Sequence, residues 1–251
     1  MAISRVRQTN AGSQGRAAAS TWTLTLSGTP TTGNTLLLYI GSRNALSIAS
    51  IIQGGSGSSW TLVYSSVSTG ANVYVYALNV TAGSNTTVTL NLSVANNGFY
   101  SICEEISGLV SSGWLDKSLS SVSASTNNPN TGLTIDTTSS NEYWVNLYCF
   151  NSPSFSGSSQ GSSPTNGYTL YNSGTSIDFD DPGWTGGVIT PFFGFAGMIM
   201  AYKITPIVGN AGGSITDILN NFNDYNSVAL AFSGESGTVV ASRRRVTTVI
   251  F

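Results

Sequence analysis

Histidine is absent from the 251-residue chain, and that absence removes a large block of chemistry. No Ser-His-Asp or Cys-His catalysis, no imidazole zinc ligand and no histidine pH switch can be built within it. Cysteine is scarce: Cys103 and Cys149 are the only two, too few for a four-thiolate metal site or a disulfide framework. Charged residues make up 8% of the chain, against about 25% in ordinary soluble domains. Glutamate and lysine, the usual formers of exposed helix, number four and two, which disfavours helices. No run of about 18 apolar residues is present to span a membrane. The N-terminal stretch MAISRVRQTNAGSQGRAAAS carries arginines with no apolar segment after them, so the expectation is a soluble product with no secretory signal, made in a cytoplasm.

What is abundant points to strands. Ser (40), Thr (29), Gly (28) and Asn (22) make up close to half of the chain. Thr with Val, Ile, Tyr and Trp fits pleated strands, while Gly, Asn and Ser supply turns. Hydrophobic residues at 40% and aromatics at 10% make the chain too apolar for disorder. The length suffices to bury a sizeable core.

Period-2 alternation marks WTLTL (22–26) and, most cleanly, TTVTLNLSV (86–94), where Val88, Leu90, Leu92 and Val94 are expected on one face. Leu36 to Ile40 is a continuous apolar run, the pattern of a strand covered on both faces. WTLVY (60–64), NVYVYALNV (72–80), FYSICEEIS (99–107), GLTID (132–136), EYWVNLYCF (142–150) and FAGMIMAYKI (195–204) follow, separated by turn clusters. The expected fold is all-β: a two-sheet antiparallel β-sandwich of jelly-roll type over 20–205, preceded by a basic arm, 1–19. Residues 206–251 are expected to form an appended segment. It would hold one short helix over 215–222, with Ser214 as N-cap and Ile215, Ile218, Leu219 and Phe222 on one face. Strands at 228–232, 237–242 and 245–251 would follow, ending on an apolar Phe251.

Charge is unevenly placed. Arg5, Arg7 and Arg16 lie near one end and Arg243, Arg244 and Arg245 near the other, leaving three basic residues against eleven acidic ones between 17 and 242, a net −8. Two readings are open. Either the terminal arginines are solvated, or they and Phe251 are interface residues held against an acidic neighbour. A body of that charge repels phosphate, so nucleic acid is not expected as a partner.

Seven stretches in order carry a family resemblance: TTGNTLLLYIG (31–41), ASIIQGGSGSSWTLVYS (49–65), NVYVYALNVTAGSNTTVTLNLS (72–93), CEEISGL with LDKS (103–118), GLTIDTTSSNEYWVNLYCF (132–150), NGYTLYNSG (166–174) and FGFAGMIMAYKI (194–204). Their succession is similar to a β-sandwich domain common in bacteriophage proteins and bacterial surface proteins, over about residues 20 to 205. It resembles a phage capsid decoration, or cement, protein. The Asp usual near the Gly54–Ser59 loop is missing. The resemblance implies a fold and a virion or cell-surface setting, not catalysis.

The polar residues yield no catalytic, cofactor or metal assignment. Glu104 and Glu105 are neighbours on a strand and must point to opposite faces. Glu105 and Asp116 read as structural acceptors at strand ends. Glu105 with Glu142 or Asp178 would be the pair for a glycosidase, and Asp178, Asp180 and Asp181 read as a turn closed by Pro182-Gly183 in preference to a calcium loop. Cys103 and Cys149 read as buried free thiols. Trp184, Phe192, Phe193 and Phe195 could stack on sugar rings, fill a subunit interface or cap the core. Three functions are therefore weighed. The first is a trimeric decoration protein that binds the major capsid protein or another virion protein on a particle assembled in a host cytoplasm. The second is a glycan- or receptor-binding adhesin module of a fibre or tail. The third is a glycan-active enzyme. The order of expectation is as given, with no membrane partner and no cofactor.

Overall fold

The computed structural model describes residues 1–8, 12–14, 19–55, 59–68, 70–96, 99–124, 130–132, 136–152, 161–162, 164–170, 195–217 and 224–235. In chain order the strands are β1 (Ser4–Gln8), β2 (Gly12–Gln14), β3 (Ala19–Thr25), β4 (Thr35–Ser42), β5 (Ile48–Gln53), β6 (Thr61–Ser66), β7 (Asn72–Asn79) and β8 (Thr87–Asn96). They continue as β9 (Phe99–Ser107), β10 (Leu115–Ala124), β11 (Glu142–Ser152), β12 (Gly161–Ser162), β13 (Thr169–Leu170), β14 (Phe195–Thr205), β15 (Thr216–Asp217) and β16 (Asp224–Ser233). Every pairing is antiparallel. The protein is all-β, as its composition implies, with no helix among the described residues.

The strands form a β-sandwich with an added layer. A central sheet runs β1-β9-β4-β7-β6, with β2 also on β9; a second runs β10-β16-β11-β14-β13; a third runs β3-β8-β5. The apolar run of β4 explains why the central sheet is covered twice. Its odd residues Leu37 and Tyr39 pack with Val73, Val75 and Ile102 against Val145, Leu147, Met200 and Leu230 of the second sheet. Its even residues Leu36, Leu38 and Ile40 pack against Leu24, Val88, Leu90 and Leu92 of the third. All eight residues of β4 are buried, as a strand with two apolar faces requires. Gly41 is needed there, because a Cβ at that position would lie 2.8 Å from Cys149 Sγ across the interlayer gap.

Several expectations change. Val94, placed with the inward face of β8, is 71% exposed, because the ladders of β8 with β3 and β5 have lost their regular register by that point. The stretch 1–19 is not a free arm in its described part: β1 and β2 are paired to β9. Residues 206–251 are not simply appended to a sandwich ending at 205. β16 lies inside the second sheet with β10 on one side and β11 on the other, and its run VALAF has the doubly apolar pattern of a central strand. The helix expected over 215–222 does not begin where it was placed. Ser214 bridges Asn130, Thr216–Asp217 pairs with Gly161–Ser162, and residues 218–222 lie outside the described residues. A short helix has a costly nucleus, and here a strand partner satisfies the same backbone groups. GLTID, expected as a strand, has Gly132 and Asp136 outside any strand; its interior, and the strands expected at 237–242 and 245–251, lie outside the described residues.

Candidate functional site

The edge strand β1 brings two arginines onto β9. Arg5 and Arg7 are two residues apart and would ordinarily share a face, but a bulge at Val6 sets Arg5 opposite Ile106 and Arg7 opposite Glu105. The two guanidinium groups therefore leave the strand on opposite sides, matching the opposite sides taken by Glu104 and Glu105. Arg5 Nε donates to Glu104 Oε2 at 2.8 Å, and Arg7 Nε donates to Glu105 Oε2 at 2.5 Å. Glu104 lies between the central and second sheets, where Tyr39 and Tyr143 donate to its Oε1 at 2.8 and 2.7 Å. Burial is the largest influence on Arg5 and opposes its charge, but Glu104 together with Tyr143 and Tyr202 outweighs it and the guanidinium pKa is raised. Burial, then the Glu104 charge, holds the Tyr39 phenol well above its ordinary value, so it remains a donor. On the other face Glu105 Oε1 accepts from the Thr31 N–H at 2.9 Å and from Asn34 Nδ2 at 2.5 Å. It is the structural acceptor its sequence context implies.

A second carboxylate pair joins β10 to β11. Asp116 accepts from the Thr138 N–H at 2.6 Å and from Thr138 Oγ1. Burial would raise its pKa, but these bonds outweigh that and hold it below its ordinary value. Glu142, fully buried, takes a hydrogen bond from Trp144 Nε1 at 2.7 Å. Its pKa is pushed up to about 7, by burial first and by the neighbouring Asp116 carboxylate, against hydrogen bonding from Thr137 and Trp144. Thr137 also ties this corner to the 206–215 loop, since its N–H donates to Gly209 O at 2.8 Å.

That loop forms one wall of a cleft of about 460 Å³ on the outer face of the second sheet. Lys203 on β14 is directly opposite Trp144 on β11, and its ammonium lies 5.0 Å from the indole centroid. Lys203 Nζ donates to Asn166 O at 2.8 Å. Asn166, in the left-handed region at φ 59°, donates through Nδ2 to Asn210 O at 2.9 Å and Gly212 O at 3.1 Å. Tyr168 fixes the same loop from beneath, donating to Ala211 O at 2.5 Å.

The expected interface residues divide. Arg5 and Arg7 are each paired with a glutamate of β9 within the chain and remain partly exposed. Arg16, Arg243, Arg244, Arg245 and Phe251 lie outside the described residues, as do Asp178, Asp180, Asp181, Trp184, Phe192 and Phe193. Cys103 and Cys149 are free and buried, as their apolar strands imply; they lie in different cores. Among the described residues no three acidic or thiol groups are placed to hold a metal. Glu105 and Glu142, imagined as a catalytic pair, each have their own structural partners. The cleft has no local signal in the sequence: Trp144 and Lys203 are brought together only by the β11 and β14 register. No protein-family model matches the sequence, and no curated protein or solved structure matches it either.

Proposed function

We propose that the chain is a non-enzymatic structural protein of a virus particle, a decoration or cement protein bound as a trimer to the outer surface of a phage head, where it contacts the major capsid protein. The supporting observation is where the fold places its ionisable groups. Glu104, Glu105, Asp116 and Glu142 each join strands or turns. What faces outward on the third sheet is an uncharged ladder, in which Thr21 donates to Asn91 at 3.1 Å, Asn91 to Ser50 at 3.0 Å, and Thr23 and Thr89 share a bond at 3.2 Å. A layered plate with a neutral hydroxyl and amide skin suits a protein packed against a shell. In this reading the shell contacts fall to Arg16, Arg243, Arg244, Arg245 and Phe251. The test is whether the chain sediments with particles at a fixed ratio to the shell protein, and whether changing Arg243, Arg244 and Arg245 to Ser releases it, more completely at high salt. Particles that form and persist without it, with the chain always free, would overturn the reading.

The second reading is a glycan-binding adhesin module. The observation that favours it is the open cleft at Trp144 and Lys203, whose volume is in the range of small-molecule sites. An array of bacterial surface polysaccharides distinguishes the two: retention of the isolated chain supports an adhesin.

A further inference from the structure

We propose that the cleft on the outer face of the second sheet is a binding site for a carboxylate-bearing sugar, such as a uronic or sialic acid residue within a polysaccharide. This holds whether the chain sits on a head or a fibre, so its failure leaves the particle test untouched. The argument begins with Lys203. Its ammonium is half-buried, lies over the Trp144 ring and uses one donor on Asn166 O. Among the described residues it forms no ion pair, and a partly desolvated ammonium with donors to spare is completed by an anion. A single cation fits one carboxylate better than a phosphate dianion, which recruits several.

The rest of the wall is neutral and already built. Asn166 ties the turn at 165–167 to the loop at 210–213. Thr131 Oγ1 accepts from the Gly213 N–H at 2.8 Å and Thr131 N donates to Gly213 O at 3.0 Å, so the floor does not need to form around a ligand. Asn166 and Gly167 both lie in the left-handed region, the ordinary conformation of an Asn-Gly turn, which fixes where Asn166 O meets Lys203. Asn130 and Ser214 present amide and hydroxyl groups to sugar hydroxyls, and Ile207, 64% exposed on the rim, offers an apolar surface to a ring's C–H face.

A second observation comes from beneath the floor. Asn146 is 1% exposed and faces the Tyr168 side chain without a hydrogen bond of good geometry at Oδ1 or Nδ2. A Cβ on Gly213, which lines the cleft, would lie 2.5 Å from Asn146 Nδ2. Buried amides are rarely left unsatisfied without a functional reason. This one lies directly beneath the glycine floor of the cleft.

The experiment titrates the full chain with trigalacturonate, with its uncharged methyl ester and with trimeric sialic acid, reading the Trp144 indole and Lys203 resonances by NMR. The expected result is saturable shifts at both groups with at least one acid, and binding of the trigalacturonate ester weaker by about tenfold or more than that of its acid where that acid binds. Lys203→Met should reduce acid binding by a similar factor and abolish the preference for acid over ester. Asn130→Ala, which keeps the charge, should weaken both. Equal binding of acid and ester, or no shift with either acid at millimolar concentration, overturns the proposal. Because the acid and ester contrast is made on the unaltered chain, a variant that fails to fold does not obscure the answer.

Discussion

At the scale of single residues, two acid-containing corners of the fold have different physics. Glu104 has no solvent exposure and Arg5 only 19%, so Arg5→Ala leaves a buried carboxylate facing two tyrosines, and the loss should be about 3 kcal/mol in urea unfolding. Arg7→Ala should cost less, because Arg7 is 27% exposed and Glu105 keeps its bonds from Thr31 and Asn34. Equal losses would contradict the geometry described. The Glu142 corner makes a prediction in pH. Its folded pKa, about 7, stands above the ordinary value of 4.5. The unfolded chain therefore releases this proton at lower pH than the folded one. The contribution to stability is fully present below 4.5 and lost as pH rises through 7. Glu142→Gln should flatten that dependence and match or exceed the parent above neutral pH, as read from urea midpoints at acid and alkaline pH.

At the scale of strands, alternation marks which elements exist and continuity marks which are doubly covered. Leu90 is 1% exposed in the core beneath the third sheet, so Leu90→Ala should cost about 2–5 kcal/mol. Val94→Ser on the same strand should be within about 0.5 kcal/mol of the parent, a contrast measurable in one pair of unfolding curves. Gly41→Ala should destabilise by overpacking against Cys149, and Cys149→Ala should relieve much of that loss; additive losses would show that the interlayer gap can adjust. Residues 36–40 and 88–92 announced their facing because apolar character repeats along them. β1, β5 and β10 did not. Arg5 and Arg7 read as terminal charge, and β10, LDKSLSSVSA, is an edge strand whose serines satisfy no apolar template. The bulge at Val6 leaves no local signal, since it is defined by the register with the partner strand.

At the scale of the molecule, the composition made an all-β sandwich legible while the layer count and the strand neighbours stayed hidden. The third layer follows from β4 having two apolar faces, which is readable in LLLYI only as a demand for cover on both sides. What supplies the cover is a long-range choice. The cleft was hidden for the same reason: Trp144 and Lys203 are far apart in sequence and meet only through the β11 and β14 register. Residues 206–215 stand just past the boundary expected at 205, yet they wrap back over the sheet and form the cleft wall.

The place of β16 has a consequence for how the chain is made. β10 and β11 follow one another in sequence but do not pair; the strand that joins them is the last described one. On a ribosome both would emerge and wait with open edges until residues 224–233 were released, a long interval in which each can capture the other or a neighbouring chain. Synthesis is therefore expected to leave the second sheet unassembled until nearly all described residues exist, whereas the third sheet, β3, β5 and β8, can close early. A nascent chain stalled before residue 224 should be far more sensitive to protease across 115–152 than across 19–96, and should require a chaperone to stay in solution.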